Sequence, residues 1–262
     1  MSINWEPSGR RVYFFEPHQD DGVLFMGQVA AHHMLAGREV HVVLMSNGST
    51  SNVRQKLNGE IHSGPWWGGF HDPAREGYVP FPDDEQGRAH LGLARTDEWL
   101  ASWLQLGVPI ERLHFGAGLS SSAQLPDAVT EEYAGQVISH WVGHDTSAGL
   151  AAPGLYTMHW GDPNSDHAHC GAALRALRIG GYLYADSRWL VKPEQAVAVG
   201  AEPYVVPTSL QPEVKLLCRR AALAYGAWAP SLGSFAIGYH SVGTTYFDDV
   251  QRGDPNHIVR VP

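Results

Sequence analysis

The stretch Val12-Tyr13-Phe14-Phe15-Glu16-Pro17-His18-Gln19-Asp20-Asp21 decides how the rest of the chain is read. Its first four residues are an apolar, largely aromatic run of the kind a buried strand needs. One imidazole and two carboxylates follow at once, and Val23 to Leu35 then reads as a helix. In an open α/β sheet, ligands bind in the crevice beyond the carboxyl ends of the strands. Imidazole with carboxylate suits Zn2+ and similar divalent cations. A carboxylate beside an activated water also suits general-base work. The local alternative is that Asp20 or Asp21 merely caps the helix, but three metal-type residues so close together fit capping poorly.

Working outward, Glu39 to Met45 is a second β-branched run, entered through Gly37. Strand, helix and strand in this order predict a right-handed crossover and a parallel pair. Arg112–Phe115 and Gly154–Met158 read as further strands, and Leu91–Leu106, Asp127–Val142 and Ala168–Leu177 as helices. Arg95 and Glu98 lie three apart, so they share a helix face and can pair. Gly116-Ala117-Gly118-Leu119-Ser120-Ser121 lacks the third glycine and the following helix of a dinucleotide fingerprint. The pattern predicts an α/β chain: a Rossmann-like three-layer fold with a mostly parallel sheet and a metal site at the carboxyl ends of its strands.

The exit of the Gly154–Met158 strand carries a second cluster of metal-type residues, His159-Trp160-Gly161-Asp162-Pro163-Asn164-Ser165-Asp166-His167. A parallel sheet can bring two strand exits to one edge, and a third ligand from here would complete an open three-ligand site. Residues 51–88 are rich in Gly and Pro but also carry Trp66, Trp67, His62 and His71. So long an irregular stretch reads as a loop over the site, with Trp66 and Trp67 as walls of a substrate pocket; a packed surface loop is the alternative.

Past Gly180 the reading is coarser. Gly181–Ala185 and Ala196–Val199 are candidate strands, Pro212–Tyr225 is helix-like, and Phe235–Tyr246, with His240, is β-like. The expectation is a single domain over residues 1–262, with a core over about 10–180 and a small β-containing extension over about 181–262.

Composition narrows the function. The net charge of −9 argues against a binder of nucleic-acid backbones, which needs clustered Lys and Arg. With 44% hydrophobic and 17% charged residues, disorder is not expected. The 15 His imply a formal charge that moves strongly between pH 7 and 5. Two Cys in a chain of this length do not make a disulfide framework. The N-terminus lacks the pattern of a secretion signal, and no run approaches the roughly 18 apolar residues of a membrane span. A cytoplasmic protein acting on a small molecule, without nucleic acid or membrane, is the expectation.

Pro17-His18-Gln19-Asp20-Asp21-Gly22 followed by Asn164-Ser165-Asp166-His167 resembles the paired signature of the LmbE-like, or PIG-L, zinc-dependent N-deacetylases. That signature reads Pro-His-Pro-Asp-Asp-Glu and then His-Pro-Asp-His. The helix from Arg95 to Gly107 is similar to the family's Arg-x-x-Glu helix ending in Leu-Gly, and the resemblance covers residues 10 to 178. It implies Zn2+, or another divalent metal, held by His18, Asp21 and His167. It implies Asp20 as general base and Asp166 as an orienting carboxylate beside the last ligand. It implies removal of an N-acyl group, most simply acetyl, from a small amino-sugar-containing metabolite. An amidase acting on a thiol-conjugate amide is the alternative on the same scaffold, and a metal-containing binding protein is the alternative outside catalysis. Relatives are often oligomers, so the resemblance allows a homo-oligomer.

Two departures stand out. Gly22 replaces the family's Glu. Asn164 replaces the first His of the second motif, which serves the oxyanion or the leaving amine. Asn can donate to an oxyanion but cannot deliver a proton, so protonated Asp20, His159, His169 or His240 would have to supply one. Trp66, Trp67, Arg95, His159 and His240 complete the residues expected around the substrate.

Overall fold

A computed structural model describes residues 11–181, 186–242 and 244–260. Arg11–Glu16 forms β1, and its side chains alternate between two buried faces. Val12 and Phe14 join one core, Tyr13 and Phe15 the other. A strand that is apolar on both faces belongs inside a sheet covered on both sides. The remaining strands are β2 (Glu39–Leu44), β3 (Leu113–Phe115), β4 (Gly154–Met158), β5 (Ser187–Val191), β6 (Glu202–Pro203), β7 (Trp228–Ala229), β8 (Ser234–Phe235) and β9 (His257–Val259). The main sheet has the order β3-β2-β1-β4-β5-β9-β6, and β7 pairs with β8 apart from it. The first five strands in that order run parallel, whereas β9 is antiparallel to both β5 and β6. The chain thus winds outward from β1 to β3 and then restarts on the other side of β1 with β4. That reversal opens a crevice between the carboxyl ends of β1 and β4, where both strand-exit clusters lie.

The helices are α1 (Gly27–Leu35), α2 (Val53–Leu57), α3 (Pro73–Glu76), α4 (Glu85–Leu106), α5 (Glu131–Ser147), α6 (Ser165–Ile179), α7 (Gln211–Ala224), α8 (Ile237–Ser241) and α9 (Thr244–Arg252). Val29 of α1, Trp99 and Trp103 of α4 and Cys218 of α7 fill the core on one face of the sheet. Val137 and Ile138 of α5 and Cys170 and Leu174 of α6 fill the other. This is the expected three-layer α/β arrangement. Both cysteines are buried and free. Among the described residues no helix is long and apolar enough to cross a membrane.

Helix starts follow their caps rather than their apolar periodicity. α4 begins at Glu85 because the Asp84 side chain accepts from Gly87 N at 2.8 Å. α5 begins at Glu131 because Thr130 accepts from Tyr133 N at 3.2 Å. The C-terminal region departs most from its reading. Ala196–Val199 is a turn, and the strand expected over 181–185 lies, Gly181 apart, outside the described residues. Phe235–Tyr246 is largely helical, not β. The buried Glu98 carboxylate accepts from Ile237 N at 2.6 Å and Gly238 N at 2.9 Å, so a side chain far away in sequence caps α8.

Candidate metal centre

β1 ends at Glu16, and the chain turns immediately. The Ser46 hydroxyl donates to Pro17 O at 2.7 Å, and Gln19 Nε2 donates to Asn47 O at 2.7 Å, which fixes the turn against the exit of β2. The residues after Asp21 form a π-helical turn, Gly22–Met26, before α1 begins. Gly22 is dictated by its surroundings. A Cβ there would lie 1.9 Å from Glu16 Oε1 and 2.5 Å from Trp103 Cζ2. The Glu16 carboxyl, buried and accepting from Trp99 Nε1 at 2.8 Å, occupies the space that a side chain at position 22 would need.

From β4, Asn164 caps α6: its Oδ1 accepts from Asp166 N at 2.9 Å and His167 N at 3.4 Å. This cap starts the helix at Ser165 and fixes His167 in its first turn. His18 Nδ1, Asp21 Oδ2 and His167 Nε2 then converge. The pairwise separations are 3.2 Å for His18 to Asp21, 3.2 Å for His18 to His167 and 3.0 Å for His167 to Asp21.

The far nitrogen of each imidazole faces another carboxylate. His18 Nε2 lies 3.0 Å from Asp166 Oδ2, and His167 Nδ1 lies 3.3 Å from Asp162 Oδ2, the latter close but imperfectly aligned. Protons on those far nitrogens leave two imidazole lone pairs and a carboxylate oxygen aimed at one point. That donor set fits a divalent cation with an open position, with carboxylates behind both histidines to fix their tautomers. Without a cation the same atoms share protons. Burial works against the charges, but hydrogen bonds to Asp166 and Asp21 raise His18 to about 9. Burial likewise opposes the charge on Asp21, yet the two imidazoles hold it well below the usual carboxylate range.

Asp20 points into the same cavity, gripped from two sides. Ser241 Oγ donates to its Oδ2 at 2.5 Å, and Arg95 Nη2 lies 3.5 Å from its Oδ1. Arg95 also donates to Gly48 O at 2.9 Å. Arg95 and Glu98 share a buried face of α4, but they take separate partners instead of pairing with one another. The cavity measures about 560 Å³ and includes the metal cluster, Asp20, Arg95, Asp127, Asn164 and Lys192, a volume suited to a small ligand.

Several expected substrate residues lie elsewhere. Trp66 and Trp67 do not line this cavity. They pack edge-on and stacked against His240 and His71, with ring centroids 4.9 Å and 4.3 Å apart respectively. The cavity wall from that loop is its beginning, Ser51 and Asn52, together with Thr50 just before it. His159 is buried against Trp160, and its Nδ1 accepts from Gly161 N at 3.0 Å. His169 Nδ1 donates to Val129 O at 2.7 Å, and His240 Nδ1 to Ala236 O at 2.7 Å. None of these three histidines lines the cavity. Conversely, Ser241, Lys192 and Tyr246 reach the site without having been singled out, and Asp162, read only as part of the strand-exit cluster, faces His167. Lys192 had a usable signal, since it directly follows the apolar run of β5, whose exit adjoins that of β4.

Residues 13–177 match the PIG-L family, described as GlcNAc-PI de-N-acetylase. The chain belongs to this family. It is a family of deacetylases, hydrolases acting on C–N bonds, and the His-Asp-His cluster is this member's candidate metal site. Among curated proteins there is no significant sequence match. Three solved structures of deacetylases from the teicoplanin biosynthetic pathway share the fold. One, in complex with teicoplanin, is 17% identical with a TM-score of 0.53, over 95% of this chain and 96% of that one. A second, a complex designated bog, is 16% identical with a TM-score of 0.54, over 95% and 98%. The third, a triple mutant, is 16% identical with a TM-score of 0.53, again over 95% and 98%.

Proposed function

We propose that this PIG-L member is a metal-dependent hydrolase that removes an N-acyl group, most simply acetyl, from a small amino-sugar-containing molecule. The observation that carries the reading is the convergence of His18 Nδ1, Asp21 Oδ2 and His167 Nε2 in a cavity that also holds Asp20. A divalent cation bound by those three residues supplies Lewis acidity, polarising an acyl oxygen and lowering the pKa of water to about 7. Asp20, held by Ser241 and Arg95, takes the proton from the attacking water. Asn164 spends its carbonyl oxygen on the α6 cap, so its amide NH2 is left as the donor to the acyl oxygen as charge develops there. Asp166 and Asp162 orient the two imidazoles. A polar cavity rich in carboxylates and amides suits a hydroxylated substrate, and one teicoplanin-pathway deacetylase of the same fold is solved in complex with teicoplanin.

The test is metal content of the purified protein together with amine release from a panel of N-acetyl amino sugars. About one zinc per chain, with release abolished by chelator, is the expected result. Metal-free protein that still releases amine would remove the His18–Asp21–His167 centre from the chemistry.

A further inference from the structure

An amide nitrogen does not depart from its tetrahedral adduct without a proton, and the residue at 164 cannot give one. The three histidines that could have substituted for it are turned elsewhere. Of the other proton carriers in the cavity, Asp20 has one oxygen taken by Ser241 and the other facing Arg95, and the Tyr246 hydroxyl donates to Glu194; Lys192 remains. Lys192, at the exit of β5, lines the cavity, and its ammonium donates to Asp162 Oδ1 at 3.0 Å. The same oxygen accepts from Asn164 N at 2.8 Å. The ammonium and the residue at 164 therefore meet on one carboxylate atom. The motif resemblance sets Asn164 against the first histidine of the family signature, so the ammonium stands beside the place that histidine would occupy. Its side chain is 14% exposed, and a lysine has three N–H groups, only one of which Asp162 engages.

We infer that Lys192 is the proton donor to the departing nitrogen, a catalytic residue contributed by β5 in place of the motif histidine. The inference rests on the hydrolase reading above. Water adds to the acyl carbon: a C–O bond forms, the carbonyl π pair moves to oxygen, and Asp20 holds the water's proton. The oxygen pair then re-forms the carbonyl, and the C–N bond breaks with its electrons going to nitrogen. The nitrogen takes a proton from Lys192 Nζ. Lys192 is re-protonated from solvent as Asp20 releases its proton, so the sum is amide plus water giving amine plus carboxylic acid. Asp162 positions the ammonium and, through its other oxygen, faces His167.

Lys192→Arg is the informative variant, because a guanidinium keeps the charge and a hydrogen bond to Asp162 but does not give up its proton. Turnover is compared on N-acetyl amino sugars and on 4-nitrophenyl acetate, whose phenolate leaves without protonation. The expected result is a fall in kcat on the amide of about 10²–10⁴-fold, the usual contribution of general acid catalysis. KM should change little, the fall on the ester should be far smaller, and metal content should be retained. Adding Asn164→His to Lys192→Arg should recover amide turnover. Equal losses on both substrates would make Lys192 a positioning residue acting through Asp162 and His167, and no loss would leave it without a role; either result overturns the inference while the hydrolase reading stands. Wild-type protein that binds metal yet hydrolyses none of the amides would instead overturn the reading on which the inference rests.

Discussion

Two of the close histidine pairs in this molecule have opposite electrostatics. His18 and His167 approach to 3.2 Å at the carboxyl edge of the sheet. His41 of β2 and His114 of β3 approach to 3.0 Å beside the α5 layer, nearly parallel to one another, with His41 stacked on Tyr13 and His114 packed at a tilt against Trp141. Burial opposes charge in both. At the edge, hydrogen bonds to Asp166 and Asp21 reverse the balance and raise His18 to about 9. On β2 and β3, burial lowers His41 to about 3 and His114 to about 4; neighbouring His and Arg charges push the same way, and for His41 Asp145 is the opposing charge. Proximity of two imidazoles is therefore not what marks a metal centre. A carboxylate between the rings and another behind each ring is.

The largest effects should come from dismantling the edge pair. His18→Ala or His167→Ala should drop bound metal far below stoichiometry and amine release to background, whereas His41→Ala should leave the metal content of folded protein intact, as read by metal analysis after dialysis. Retained metal in the first two would break the contrast. Removing the backing carboxylates asks the finer question. Asp162→Asn and Asp166→Asn keep an acceptor oxygen but lose the charge, so metal affinity should fall by about 10–100-fold in competition with a chelating indicator. Unchanged affinity would mean that the carboxylates behind the rings do not distinguish the two pairs.

The β2–β3 pair should show itself in acid. His41 and His114 titrate well below the ordinary 6.5 of an unfolded histidine, so the unfolded chain binds protons first. The stability the pair contributes is complete above about pH 6.5 and is lost as pH falls towards 4 and 3. Melting temperature should decline over that window. His114→Phe, which keeps the ring on Trp141 and removes one site of protonation, should decline less steeply. Parallel declines would show that other groups dominate acid unfolding. Histidine count alone pointed the other way: 15 imidazoles suggest a charge that swings between pH 7 and 5, but burial pushes His33 well below the ordinary histidine value and His41, His114 and His240 below that window.

That difference marks where the sequence is legible. β1 to β4 and the two strand-exit clusters follow from local patterns, because a strand exit is a few residues long and the sheet does the rest; the choice of His18, Asp21 and His167 within those clusters comes from the family resemblance, and β5, β6, β7 and β9 are not read. What escaped is contributed across the chain. Ser241 reaches Asp20, Lys192 reaches Asp162, and Glu98 caps the helix that carries Ser241. None of these contacts leaves a spacing to read. The β-like appearance of Phe235–Tyr246 was true to its composition, and the Glu98 carboxylate overrode it.

The smallest effect expected concerns the tryptophans, and it turns on a third pair of histidines. His71 and His240 approach to 2.8 Å, with Glu76 2.7 Å behind His71. Here, however, Trp66, Trp67 and Trp228 wall the pair in, away from the cavity. A carboxylate behind one ring is present, but no carboxylate oxygen lies between the rings, and the second ring is backed only by the carbonyl of Ala236. The tryptophans thus seal a structural joint that holds α8 and, through it, Ser241 on Asp20. Trp66→Ala and Trp67→Ala should cost about 1–3 kcal/mol, less than a fully buried tryptophan because both rings are half-buried. That should appear as a melting temperature lower by about 2–4 °C per kcal/mol. KM for a monosaccharide-sized substrate should stay within about twofold, the cavity wall there being Thr50, Ser51 and Asn52. A clear rise in KM with unchanged melting temperature would put the rings against the substrate after all, and would make the third pair part of the site rather than of its support.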